Sequence, residues 1–173
     1  MAKTFPSVVN DYNVYKNGTR LIGVTGEVNL PDLTSKTTTI NGAGILGDIN
    51  EAVMGQFENI QLKIPFRTLS DDIFSVMNPT EAVDLTLRAA IQNTDLATGK
   101  TGFQGMRVVV RGKMESFTPG NVQNGEQMGS SVTLNLTYIL IEVNGETKVE
   151  LDKLNGVYIV NGVDLLAQVK ALV

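Results

Sequence analysis

The sequence predicts a mainly β fold with two short helices. Several segments alternate apolar and polar residues, as in "EAVDLTLRAAIQN", which is typical of strands with one buried and one exposed face. Three Asn-Gly pairs fall between Thr137 and Asp164, and Asn-Gly is the strongest short signal for a tight hairpin. Only two segments show helical spacing of apolar residues. Because no linker, repeat or low-complexity segment interrupts the chain, we expect a single domain over residues 1–173.

The N-terminal region predicts a hairpin. Tyr12–Tyr15 forms the first arm and Thr19–Leu30 the second, and the turn is the "KNG" between them. Pro31 ends the second arm, because proline cannot donate a hydrogen bond to a neighbouring strand.

A long loop is expected next, from about Asp32 to Gly55. The segment is rich in Gly, Thr and Asn and has little apolar periodicity, although Lys36–Ile40 could be extended. Structureless loops of this length are uncommon in compact domains. This one is either a mobile surface loop or a loop that orders against a partner.

A strand and the first helix follow. The strand "QFENIQLKIPF" places four apolar residues on one face, and Pro65 predicts an edge position or the strand's end. The apolar residues are Ile60, Leu62, Ile64 and Phe66. The helix begins after Ser70 as N-cap, has Asp71 and Asp72 in its first turn, and stops at "NP".

Two strands of the middle region form a long antiparallel hairpin with one apolar and one polar face. They are "EAVDLTLRAAIQN" and "MRVVVRGKMESF", joined through "LATGKTGFQG". A second polar loop, "TPGNVQNGEQMGS", leads into the long strand "SVTLNLTYILIEV". This strand becomes apolar on both faces near Tyr138 to Ile141, so we expect burial on both sides there.

The C-terminal region continues through the Asn-Gly turns into "ETKVELDKL" and "GVYIV". A terminal helix follows, with Asp164 as its cap. Its apolar residues fall at helical spacing and predict a docking face on the core. They are Leu165, Leu166, Val169 and Leu172.

The amino-acid composition lacks the residue types on which most enzyme active sites depend. The chain has no Cys and no His, so thiolate nucleophiles, disulfides, zinc-thiolate sites and the commonest general base are all missing. "NGAGILG" lacks the Lys-Ser/Thr ending of a phosphate loop, and "ELDKLNG" has too few acidic oxygens for an EF-hand. Asp71 and Asp72 are interpreted as partners of the helix dipole. We therefore predict no enzyme activity and no cofactor.

Charge and hydropathy exclude other classes. A net charge of −4 indicates neither a nucleic-acid binder nor a basic membrane-surface protein. No apolar run is long enough to cross a bilayer, and "MAKTFPSVVNDY" shows no secretory signal. A carbohydrate-binding sandwich would present aromatic platforms, and the chain has no Trp and only four Tyr. A carboxylate hydrolase would need two acidic residues converging in a pocket, which the sequence does not place.

Two regions resemble the major tail tube proteins of contractile-tailed phages and R-type bacteriocins. In the N-terminal half these are "YKNGTRLIGV", "NLP", Lys36 and "GAG" at 42–44. In the second half they are "VVVRGKMESF", "GE" at 125–126 and "TYILIEVNGETKVELDKLNGVYIVNGVDLL". The most specific piece is "VNGVD". The resemblance covers nearly the whole chain in the same order.

The resemblance implies a β-sandwich-like subunit with a flanking helix. Such subunits form a hexameric ring that shares one continuous inner β-barrel, and the rings stack into a tube inside a contractile sheath. On contraction the tube crosses the target cell envelope, where it conducts DNA in a phage or permeabilises the cell in a bacteriocin. The tube of a type VI-like secretion system or another contractile injection system is the alternative.

The same resemblance implies partners and a location. The partners are other copies of the chain, the sheath protein outside, the baseplate and tail terminator at the ends, a tape measure protein in the lumen during assembly, and DNA only in a phage. No stable membrane insertion of the monomer is expected. Assembly takes place in the bacterial cytoplasm, and the product is a virion tail or a bacteriocin particle.

Two sets of residues are candidates for these contacts. The loop that orders against the next ring is represented by Lys36, Gly42, Gly44 and Asp48. The polar face of the long hairpin predicts a lumen lining made of Asp84, Thr86, Arg88, Gln92, Arg107, Arg111, Lys113 and Glu115. A basic lumen would retain phosphate. Hence the basic side chains are paired with Asp84 and Glu115, or another face points inward, or no DNA passes.

Overall fold

The computed structural model describes residues 3–173, which form eleven strands and two short helices. The elements are β1 (Thr4–Lys16), β2 (Thr19–Arg20), β3 (Ser35–Ile40), β4 (Ile49–Phe57), β5 (Gln61–Phe66), α1 (Asp71–Ser75), β6 (Val83–Asp95), β7 (Thr101–Thr118), β8 (Ser130–Val143), β9 (Glu146–Asp152), β10 (Val157–Val160), β11 (Val163–Asp164) and α2 (Ala167–Lys170). The predicted mainly β class with two short helices is confirmed.

Nine strands form one large antiparallel sheet. Its order is β11-β10-β9-β8-β7-β6-β1-β2, and β5 pairs with β8 beside this path. A second sheet contains only β3 and β4. The described residues therefore form one large sheet and one small one.

The predicted long hairpin is β6–β7. Its register runs from Val83 opposite Gly112 to Thr94 opposite Thr101. Alternate residues are buried over residues 83–87 of β6 and 108–112 of β7, as the period of two predicts. Those on the buried face include Leu85, Leu87, Val108 and Val110.

Strand β8 is the centre of the sheet. One edge of β8 pairs with β7. The other edge pairs with β5 over residues 130–135 and with β9 over residues 138–143. The apolar face of β5 is buried as predicted. Pro65 lies near the end of this strand, which pairs with β8 on one edge and meets residues 23–25 on the other. Of the stretch expected to be buried on both sides, only Ile139 is fully buried, while Tyr138 and Leu140 are half-buried. The second face of β8 is therefore only partly covered in the monomer.

Two segments cover the apolar face of the sheet. Helix α1 contributes Ile73 and its C-cap residue is Val76, and both side chains are fully buried. The stretch after β2 contributes Leu21, which is buried, with Val24 and Val28 packed partly against the core.

The predicted second arm of the N-terminal hairpin is wrong beyond Arg20. The turn itself is present, with φ of 49° at Asn17 and 81° at Gly18. After β2 the chain leaves β1 and meets β5, where Val24 bridges Phe66 and the Arg67 amide donates to the Gly23 carbonyl over 2.8 Å. The chain departs because Leu21 and the residues after it cover the core.

The expected loop from Asp32 to Gly55 is also wrong over most of its length, which forms the hairpin β3–β4, whereas the possible extended piece at Lys36–Ile40 is confirmed as part of β3. We call Ser35–Phe57 the projecting hairpin. Its base is anchored: Phe57 packs edge-to-face on Tyr158 with ring centroids 5.0 Å apart, and the Lys153 ammonium donates to the Glu58 carbonyl over 2.7 Å. Polar residues exposed on both faces gave little apolar periodicity, which hid the strands.

The Asn-Gly pairs divide into two kinds of turn. Asn144 and Asn161 have φ of 53° and 50°, as a type I′ turn requires. The turn at Asn155 is longer, and the Asp152 carboxylate organises it by accepting from the amides of Leu154 and Asn155. All three turns do reverse the chain between strands.

Both helices are shorter than expected. Ser70 is the N-cap of α1 but makes no side-chain cap bond, and Asp72 instead accepts from the Ile22 amide over 2.6 Å. Asp164 lies in β11, accepts from the Leu166 amide and pairs with Lys170. The predicted docking face of α2 is wrong: Leu165, Val169 and Leu172 are exposed, and only Leu166 is half-buried, against Gly55. Neither helix of residues 3–173 has the length and apolarity to span a membrane.

Candidate channel face and stacking hairpin

One face of the large sheet carries most of the residues predicted to line a channel. Residues directly opposite in an antiparallel pair share a face. The register places Asp84 opposite Arg111, Thr86 opposite Val109 and Arg88 opposite Arg107. Strand β8 continues these rows with Tyr138 and Glu142. We call this the polar face, and define it by Asp84, Thr86, Arg88, Gln92, Arg107, Arg111, Tyr138 and Glu142.

Arg107 is held by Glu142 across β7 and β8. The guanidinium makes two hydrogen bonds to the carboxylate, one from Nε over 2.6 Å and one from the terminal nitrogen over 2.7 Å. The Glu142 side chain is 17% exposed and that of Arg107 40% exposed. This fork geometry is the strongest form of an arginine–carboxylate contact.

Arg111 is held by Asp84 in the same way but more loosely. Its Nε donates over 2.6 Å and its terminal nitrogen over 3.4 Å, and both side chains are about half exposed. The guanidinium also lies 5.8 Å from the ring centre of Tyr138, whose hydroxyl donates to Glu150. A polar row thus crosses the sheet from β6 to β9.

These contacts shift the titration of the groups involved. The hydrogen bond from Arg107 lowers the pKa of Glu142, and the charge of Arg88 lowers it further. The reciprocal bond raises the pKa of Arg107. Burial, followed by the charge of Glu150, raises the pKa of Tyr138. Glu142 therefore interacts electrostatically with two arginines.

The remaining two candidates lie farther along β7. Lys113 is aligned with Asn135, which is itself opposite Gln61. Glu115 accepts two hydrogen bonds from the Gln61 amide, at 2.8 and 2.9 Å. The predicted pairing of basic residues with Asp84 is thus found, whereas Glu115 bonds an amide. Sequence reasoning missed Glu142, whose place became visible only from the register of β7 and β8.

The four loop candidates lie on the projecting hairpin. Lys36 belongs to β3, and the others lie at or beside its tip, which the Asn41 amide closes by donating to Asp48 over 3.3 Å. The hairpin also exposes large apolar side chains, with Leu46 fully exposed at 107%. These are Ile40, Ile45, Leu46, Ile49 and Met54.

A second exposed apolar group lies at the far end of β1 and of the β6–β7 hairpin. Phe5, Val8, Leu96 and Phe103 are each more than half exposed. The register places Val8 and Phe103 on opposite sides of Gln92, so they share a face with it. A group of solvent-exposed apolar side chains of this kind indicates a surface that another protein covers.

Strand β1 also leaves a backbone edge open. Strand β6 pairs along its length from Thr4 to Lys16, but β2 pairs only with Tyr15 and Lys16. The β1 edge from Thr4 to Asn13 therefore has no strand beside it among residues 3–173. In the same described range, no group of three or more His, Cys, Asp or Glu could hold a metal ion.

Comparisons with known proteins identify the family. The family model described as phage tail tube protein FII matches residues 6–173. The chain is similar to the tail tube protein of Escherichia phage P2, with 29% identity over 159 residues and 90% of each chain covered. It is also similar in fold to a chain of the sheath/tube terminator of an extracellular contractile injection system, PVC, solved in the extended state. That match has a TM-score of 0.53 and 16% identity, and covers 80% of this chain and 97% of the other.

The resemblance found in the sequence is thereby confirmed. The family model spans both halves of the chain, including "KNG" and "VNGVD". A tail tube protein has a structural role in a phage tail and is not an enzyme. On these grounds the chain belongs to the phage tail tube protein FII family.

Proposed function

We propose that the chain is one domain and forms the inner tube of a contractile tail, as a hexameric ring that stacks on further rings. The observation that carries this proposal is the large sheet with an open edge at β1 and a polar face across β6–β8. Copies related by rotation cover each other's edges and extend the sheet into a closed barrel, which leaves no edge exposed. The polar face then lines an aqueous channel.

The projecting hairpin makes the contact between rings. Its base is fixed to the subunit through Phe57 and Tyr158, while its tip carries the exposed Leu46. A rigid arm with an apolar end suits docking into the next ring. Contacts between unlike surfaces of successive rings give an open-ended filament, whose length another component sets.

The partners in this proposal are those that membership of the tail tube family implies. The sheath surrounds the tube, the baseplate and tail terminator bind its ends, and a tape measure protein occupies the channel during assembly in the bacterial cytoplasm. Sheath contraction drives the tube through the target envelope. In a phage tail the channel then conducts DNA, and in a bacteriocin it permeabilises the cell. The similarity to the P2 tail tube protein favours the phage over the bacteriocin or a type VI-like injection system.

Electron microscopy of the purified protein at rising concentration tests the proposal. We expect rings of uniform diameter and hollow tubes. A protein that stays monomeric by sedimentation at high concentration, with no tubes in the images, would contradict it. A sheath gene beside this one would support the contractile tail, and a capsid gene nearby would support the phage.

A further inference from the structure

Three arginines on the polar face raise a physical problem for a DNA channel. Arg88, Arg107 and Arg111 lie on adjacent strands, and arginine binds phosphate with the same fork that it uses for carboxylate. In a ring every copy would add its own set. Unpaired arginines at this density would hold a DNA backbone in place.

The structure places an acidic partner on each of the two arginines of β7. Glu142 occupies Arg107 with two short bonds, and Asp84 occupies Arg111. The third arginine, Arg88, lies opposite Arg107 in the register, and its charge acts on Glu142 as well. The register adds two more carboxylates to this face, since Tyr138 and Leu140 are opposite Asp152 and Glu150.

We infer that Glu142 and Asp84 make the polar face non-adhesive to nucleic acid, by holding Arg107 and Arg111 in ion pairs that a passing phosphate does not break. This inference rests on the proposed function, in which the polar face lines the channel. A phosphate that approaches the exposed donors of Arg107 is repelled by the charge of a carboxylate that already holds the guanidinium in fork geometry and is itself mostly sheltered from water. Glu142 is the more important of the two, because it is less exposed than Asp84 and interacts with two arginines.

The test measures retention of a short fluorescent DNA duplex in tubes assembled in its presence. Glu142→Gln keeps the size of the side chain and removes its charge. We expect these tubes to retain duplex at low salt and to release it as salt rises. The slope of log K against log salt should steepen by roughly 0.9 for each phosphate that a released arginine contacts. Arg107→Gln combined with Glu142→Gln should return retention to the wild-type value.

The matched control is Glu126→Gln, which changes net charge equally in the exposed loop between β7 and β8. Glu142→Gln tubes that retain no more duplex than Glu126→Gln tubes would overturn the inference, as would wild-type tubes that retain duplex equally well. If Glu142→Gln does not assemble, Asp84→Asn tests the same idea through Arg111.

Micrographs of every variant separate this inference from the proposed function. If the wild type forms no tubes, the proposed function fails. The same variants are then compared as subunits on immobilised duplex. There the polar face is open, and stronger binding by Glu142→Gln than by Glu126→Gln supports the inference, whereas equal binding overturns it.

Discussion

Arg107 and Glu142 join β7 to β8 through a fork of two hydrogen bonds at 2.6 and 2.7 Å. The pair links two central strands on the polar face. It also balances the positive charge of the arginine with a carboxylate. The same contact therefore serves the fold and, on the proposed function, the channel.

The pair should make stability depend on pH in a defined direction. Because the pKa of Glu142 is lowered in the folded protein, the contribution is present above its ordinary value of 4.5 and is lost as pH falls through the lower folded value. Glu142→Gln should cost about 0.5–1 kcal/mol at neutral pH, since the pair is partly solvent-accessible. Urea unfolding of both proteins from pH 7 to pH 3 measures this, and the difference should shrink on the acid side.

Arg107→Gln serves as the control for that series, because it removes the same pair from the other side. It should lose the same acid-dependent component. A difference between wild type and Glu142→Gln that stays constant down to pH 3 would show that the ion pair is not its source.

Gly112 is required where β7 passes β8. A Cβ at this position would lie 2.4 Å from the Asn135 carbonyl oxygen and 2.9 Å from a Leu136 methyl carbon, without any positive φ. Gly112→Ala must push the two strands apart and should destabilise the fold by about 1–3 kcal/mol. Thermal and urea unfolding measure the change.

Gly105 is the matched control on the same strand, because a Cβ there meets nothing within 4 Å. Gly105→Ala should change stability by less than about 0.5 kcal/mol. If both variants lost the same amount of stability, Gly112 would be required for the conformational freedom of its backbone and not for the close approach of β8.

The projecting hairpin should be dispensable for folding and necessary for stacking. Deleting Ser35–Asp48 leaves Phe57 on Tyr158 and the Glu58 amide bonded to the Thr34 carbonyl, so the subunit should stay folded. Circular dichroism and electron microscopy together measure this. We expect a folded protein that forms no tubes, and unimpaired tubes would refute the role of the hairpin.

A smaller change refines the same prediction. Leu46→Ser removes one exposed apolar side chain from the hairpin tip and should alter stability by less than about 0.5 kcal/mol. It should raise the concentration needed for assembly. Val122→Ser is the control, because Val122 is an equally open apolar residue in another loop, 90% exposed. Equal effects of both changes would assign them to general surface hydrophobicity.

Introduced cysteines should report which face points inward, because the chain contains no Cys of its own. Thr86→Cys places a thiol on the polar face, and Asp71→Cys places one on α1, which covers the opposite face. In assembled tubes a small maleimide should label both. A bulky polymer-linked maleimide should label only Asp71→Cys, and labelling of Thr86→Cys in intact tubes would place the polar face outside.

Local patterns predicted the parts of the fold that local physics decides. The alternation in β6 and β7 reflects one buried and one open face, and Asn17, Asn144 and Asn161 tolerate the positive φ of their turns. Of the hairpin β3–β4, local patterns indicated only the extended piece at Lys36–Ile40, because few of the hairpin's side chains are buried in the subunit. Its strands depend on pairing with each other, and its apolar tip on a surface beyond the monomer.

The candidate site was also predictable only where local sequence patterns determine it. The polar face was visible because alternation assigns Asp84, Arg88 and Arg107 to one side of their strands. The partner of Arg107 was not visible, because Glu142 lies 35 residues away and the register of β7 with β8 contains bulges. Ion pairs between distant strands depend on that register, which sequence periodicity does not give.

A cryo-EM reconstruction of tubes assembled from the purified wild-type protein tests the central claim most directly. We predict stacked hexameric rings whose inner wall is the continued sheet, with Arg107 and Glu142 paired at the channel surface and the projecting hairpin of each subunit in contact with the next ring. A tube with the polar face on its outside, or a filament without a channel, would contradict it.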